Sequence, residues 1–184
     1  AATNKAREAA LKAHPLLGLF AMPGYPKSSV VGYATALDTA AINRAIHSEL
    51  AAQVLPADLN LAWGASAEKG LFELYALRRT DGKAALAGEV IATAKDEYDQ
   101  NHRPVVSMTM TPDGAREWAA ITKRNIERPV AIVLDGMVYS APNIKNEITG
   151  GVSQISGNFT AQQTQDLANV LKSGKMPAPT NIVS

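Results

Sequence analysis

The sequence contains no cysteine, which excludes disulfides, thiolate metal ligands and a cysteine nucleophile together. That absence does not indicate a compartment, because a cysteine-free chain suits either redox environment. No apolar run approaches the roughly 20 residues that a membrane helix requires. A surplus of one charge is also missing: 18 Lys and Arg stand against 17 Asp and Glu, the net charge is +1, and no basic run exceeds Arg78-Arg79. A nucleic-acid or membrane-surface partner recruited by charge is therefore not indicated. Aromatic residues make up 5%, and the three histidines, His14, His47 and His102, do not have zinc-ligand spacing.

What is present is globular: 184 residues, 46% hydrophobic and 19% charged, enough for one domain or two small ones. Residues 4–14 have helical propensity and stop at Pro15, and 16–22 read as an apolar connector. Residues 30–36 read as a strand, followed by a helix capped by Asp38 and running to about Gln53. Strands are expected at 59–63, 71–79 and 84–91 with a turn at 80–83, and 93–103 is polar enough to predict a loop. Val106, Met108 and Met110 alternate with Ser107 and Thr109, a half-buried strand. Thr111-Pro112-Asp113 is a helix start, with Trp118 and Thr122 on the buried stripe. Thr160 and Gln163 fit a capping box for a last helix that ends before Gly174.

The stretch 128–141 holds the strongest local signal. Residues 130–134 form an apolar run that predicts a strand covered on both faces, and Asp135-Gly136 supplies a two-residue turn needing positive φ at both positions. Residues 137–141 return beside the first strand until Pro142 removes a donor. The expected fold class is α+β, a mixed or antiparallel sheet with helices packed on one face and a central β-hairpin at 129–141. Residues 1–58 are expected to be a helical or connector region and 59–184 the main unit.

Chemistry-bearing patterns are few. Asp96, Glu97 and Asp99 lack the glycine and terminal glutamate of a calcium loop. Gly150-Gly151 and Gly157 match neither phosphate-binding glycine pattern and read as turns. Ser140 has no histidine near it in sequence to act as base. The residues predict no catalytic site, no metal site and no cofactor.

Three blocks, RPVVSMTMTPDGAREWAAITKRNI, PVAIVLDGMVYSAPNI and EITGGVSQISGNFTAQQTQDLANVLKSGKMPAP, occur in order over roughly residues 86–183. Together they resemble the first large periplasmic domain of the SecD and SecDF protein-export family, chiefly its head, with a return segment toward the base. The resemblance implies a non-enzymatic, soluble periplasmic domain of a polytopic membrane protein in the bacterial Sec pathway, on the periplasmic face of the inner membrane. Its implied partners are unfolded preprotein, the translocation channel and a SecF-type subunit, with the membrane reached through segments this chain lacks. The family's proton-carrying acids lie in membrane helices, so no residue here takes that role. The implied function is to bind or guide the translocating polypeptide during proton-gradient-driven export; the alternative is a scaffold that docks the channel without touching the client. The start at Ala1 without Met fits a piece of a longer protein.

Candidate polypeptide contacts are Met137, Tyr139, Ile144 and Ile148, besides the connector 16–22. Motif positions with a structural role are Asp135, Gly136, Pro142, Gly150, Gly151, Gly157 and Gly174. A glycine is usual in the family where Glu127 stands, which puts the entry into the hairpin in question.

Overall fold

The computed structural model describes residue 21, residues 29–78 and residues 85–173. The helix expected at 4–14, nearly all of the connector 16–22, the turn at 80–83 and Gly174 lie outside them. Two compact units make up the chain: Ala1–Gly82 with Gly136–Val138, and Lys83–Asp135 with Tyr139–Ser184. The boundary expected at 58/59 moves to 82/83, because residues on both sides of it share one sheet.

In the first unit the order is β1 (Val30–Thr35), α1 (Ala36–Ile46), α2 (Glu49–Val54), β2 (Leu59–Trp63) and β3 (Leu71–Arg78). β3 is the middle strand, antiparallel to β1 and β2, with Tyr33 opposite Glu73 and Ala62 opposite Tyr75. Ala34, Ile42 and Leu74 are its buried core, and Ile46, Leu61 and Trp63 pack around them. Trp63 Nε1 donates to Asn43 Oδ1 at 2.8 Å, joining β2 to α1. The single helix expected from Asp38 is two helices. Thr35 precedes α1 in extended conformation and its hydroxyl donates to Asp38 Oδ2 at 2.7 Å, so Asp38 falls in the first turn. The break comes at Ser48, whose hydroxyl accepts from Ala51 N–H at 3.2 Å and so caps a new helix in competition with the old ladder.

The second unit begins with a 3-10 turn, Gly88–Val90, where a strand over 84–91 was expected. Along the chain then follow β4 (Ile91–Tyr98), β5 (Pro104–Met110), α3 (Pro112–Arg124), β6 (Ile132–Leu134), β7 (Met137–Ser140, whose first two residues are counted with the first unit), β8 (Val152–Ile155) and α4 (Ala161–Ser173). β5 lies between β4 and β8 in an antiparallel sheet. The loop expected at 93–103 is thus mostly strand β4. Ala94 is its one buried residue and Ile91 packs half-buried against the core, while the other residues are exposed, so main-chain pairing to β5 makes the strand without an apolar alternation.

One core unites the sheet face and both helices: Ala94, Val106, Met108, Met110 and Ile155 meet Trp118, Ile121, Leu167, Ala168 and Leu171. Thr111 Oγ1 accepts from Gly114 N–H at 3.2 Å to start α3. Gly114 is required there, since a Cβ would stand 2.6 Å from the Val90 Cβ. Trp118 Nε1 donates to Ser153 Oγ at 2.8 Å, tying α3 to β8. At the head of α4, Thr160 N–H donates to Gln163 Oε1 (2.8 Å) and Gln163 N–H to Thr160 Oγ1 (3.2 Å), a reciprocal capping box.

The hairpin forms, but not at the centre. β6 and β7 pair with each other as a separate two-stranded sheet. Within the apolar run, Ile132 and Leu134 pack against the main core while Val133 is 36% exposed. A strand of three residues on the flank of a core needs cover on one face, so the run did not imply a buried middle strand.

Candidate functional site

The segment 126–148 carries the candidate contacts, and its backbone explains their positions. Asp135 (φ 50°) and Gly136 (φ 77°) both take the left-handed conformation that the two-residue turn demands. Beyond the strands, Val130 N–H donates to the Pro142 carbonyl at 3.1 Å. Ile144 N–H donates to the Arg128 carbonyl at 3.0 Å, and Glu127 N–H to the Ile144 carbonyl at 2.8 Å. Glu127 has φ 62°, a left-handed conformation costly for a residue with a Cβ. A glycine at this position would carry no such cost.

Of the four candidate contacts, Met137 is open, at 37% exposure. Tyr139 is half-buried against the main core, as is Ile148, whose N–H donates to Thr122 Oγ1 at 3.0 Å. Ile144 is 6% exposed and is withdrawn as a contact, because its side chain is already inside the protein. Gly150 meets nothing within 4 Å, whereas Gly151 (φ 65°) sits where a Cβ would approach the Ala115 Cβ to 2.6 Å. A Cβ at Gly157 would stand 2.9 Å from the Phe159 ring. Pro142 lies at the edge of the hairpin as an acceptor without a donor.

Polar groups elsewhere are engaged in holding turns. Asp99 Oδ1 accepts from the N–H groups of Asn101 and Arg103 at 2.8 Å, and Oδ2 from Arg103 Nε at 2.9 Å. These bonds, led by that from the Arg103 backbone, hold the Asp99 carboxyl below its ordinary value. Glu97 accepts from Ser107 Oγ at 2.7 Å. Among the described residues no group of three His, Asp or Glu could hold a metal ion. In the first unit, burial and then Glu73 push the Tyr75 hydroxyl far above its usual value, and it donates to Glu73 Oε2 at 2.5 Å. Ser140 Oγ donates to the Ser156 carbonyl at 3.4 Å rather than to an imidazole.

Thr122 was placed on the buried stripe, but sequence reasoning missed its hydroxyl as an anchor for Ile148, and missed the part-buried Ser153 as the partner of Trp118. A hydroxyl on an otherwise apolar helical stripe was the available signal for Thr122; nothing local marked Ser153, whose partner is distant in sequence.

Among the described residues no helix is long and apolar enough to cross a membrane. The family described as SecDF, P1 head subdomain, matches residues 66–178, more than half of the chain. A protein translocase subunit SecD from Rhodothermus marinus is 38% identical over 174 residues, covering 92% of this chain and 28% of that protein. The SecDF subunit of Thermus thermophilus is 43% identical over 101 residues, covering 55% of this chain and 14% of the relative. A solved structure described as a membrane component SecDF that enhances protein export is 33% identical, with a TM-score of 0.51, over 86% of this chain and 64% of its own. This chain therefore spans a minor part of its full-length relatives and belongs to the SecD/SecDF family as its P1 domain, with the head subdomain over residues 66–178.

Proposed function

We propose that this chain is the client-facing periplasmic domain of a Sec translocon accessory membrane protein, and that it binds or guides an unfolded preprotein during proton-gradient-driven export. The supporting observation is the family match over residues 66–178, together with relatives that are protein translocase subunits. The domain's role in this reading is non-enzymatic: it offers surface to an extended chain, and its partners are the preprotein, the translocation channel and a SecF-type subunit. Met137 is the contact candidate with an exposed side chain, and Tyr139 and Ile148 are secondary.

Photocrosslinking tests this. A photoreactive residue at Met137 or Tyr139, in the full-length parent protein reconstituted in vesicles, is expected to capture a translocating preprotein. Adducts to channel subunits with none to preprotein, from any position on the domain, would replace the reading with that of a docking scaffold.

A further inference from the structure

We propose that the free edge of β8 is a strand-addition site that takes an extended, uncharged polypeptide segment; this rests on the client-facing reading above and adds a second contact surface to the one at Met137. β8 is an outer strand of its sheet, and among the described residues no strand pairs with its far side. The Gly151 carbonyl accepts from Met110 N–H at 2.8 Å, so 151, 153 and 155 bond to β5 in the antiparallel alternation. The N–H and C=O groups of Val152 and Gln154 consequently point away from the sheet, spaced to meet every second residue of an added strand. Both residues are exposed, Val152 at 60%.

The opposite edge differs. By the same alternation β4 turns the backbone of Ala94, Asp96 and Tyr98 outward, and it carries Lys95, Asp96 and Glu97 in succession. Charges placed so are how a sheet edge refuses another strand. β8, Val-Ser-Gln-Ile, carries no charge. The sheet has one guarded edge and one unguarded edge, and the unguarded one is pinned by Trp118 through Ser153, so it presents a fixed template.

The probe is a capped, fluorescent peptide of alternating Thr and Val with a terminal Lys at each end, titrated against the 184-residue chain. Amide shifts are expected at Val152 and Gln154. Gln154→Pro removes an outward donor and no β5 bond, and it should weaken binding about five- to tenfold. Val152→Lys should weaken it similarly by adding a guard charge, and Asp96→Pro on the other edge should change nothing. N-methylating alternate peptide residues should abolish binding for one set and spare it for the other. Peptide binding that ignores both β8 variants and N-methylation overturns the edge site, as does no binding at millimolar peptide. A concentration-dependent dimer lost in Val152→Lys, without peptide binding, would overturn it in favour of self-pairing. If preprotein crosslinks form in vesicles while the peptide fails, the edge site falls alone; if neither appears, the client-facing reading falls with it.

Discussion

The two units bury their apolar residues on different scales. In the first, three buried residues, Ala34, Ile42 and Leu74, form the centre, and α2 contributes none, leaving Leu50 and Val54 more than 70% exposed. In the second, ten buried residues from three strands and two helices form one cluster. Stability follows buried apolar area, so the second unit has the larger contiguous apolar core and the first a smaller one. Elements with a deep core tolerate little change of volume, and elements at the margin are governed by caps and turns.

The comparison breaks most readily at the second core. Leu167, fully buried, loses about 3 kcal/mol of unfolding free energy as Leu167→Ala, seen as a lower denaturation midpoint of the second unit with the first unaffected. Equal loss in both would show that the units unfold as one. Gly151→Ala should cost about 2–3 kcal/mol, since its Cβ would meet Ala115 and its φ is left-handed. In the first unit Ile42→Val should cost about 1 kcal/mol, detectable as a shift in the first transition of a calorimetric scan. Glu127→Gly should add about 0.5–1 kcal/mol, because removing the Cβ relieves a left-handed residue at the cost of some unfolded-state entropy.

The smallest effect separates the units by pH. Asp99 has a depressed pKa, so its contribution is complete above the ordinary value of 3.8 and is lost as the pH falls through the folded value. Tyr75 has a raised pKa, so its contribution is complete below 10.0 and declines as the pH rises beyond it, when the unfolded tyrosine ionises first. Asp99→Asn should flatten the acid limb of the second unit, and Tyr75→Phe the alkaline limb of the first, in denaturant midpoints measured across pH.

Much of the second unit was legible in the sequence because caps and periodicity agree there. Thr111-Pro112 and Thr160 with Gln163 start helices where the sequence places them, and Val106, Met108 and Met110 face the core as alternation implies. Strand β4 was not legible, because an edge strand whose inward apolar residues, Ile91 and Ala94, stand three apart has no period of two to detect. The α1–α2 break was written in Ser48 but outweighed by helical propensity on both sides. In the candidate site, the Asp135-Gly136 turn could be read from local chemistry, whereas the burial of Ile144 depends on its pairing with Arg128 and Glu127, which spacing alone does not reveal.

Thr122 was described above as a buried anchor. Its hydroxyl donates within α3, to the Trp118 carbonyl at 2.8 Å, and accepts from Ile148 N–H at 3.0 Å. The connection 141–151 has no helix or strand of its own, yet it is fastened at Pro142 and Ile144 by backbone bonds to 127–130 and again at Ile148 by that hydroxyl. In terms of chain statistics, the loop that remains beyond Ile144 is divided at Ile148, and lengthening either part leaves the other unchanged. Each doubling of a flexible loop costs only about 0.6 kcal/mol in closure entropy, so added residues near 149–150 would burden their own half alone. That hydroxyl, together with the backbone bonds at Pro142 and Ile144, thus lets this surface vary in length while the strand that follows it keeps its register.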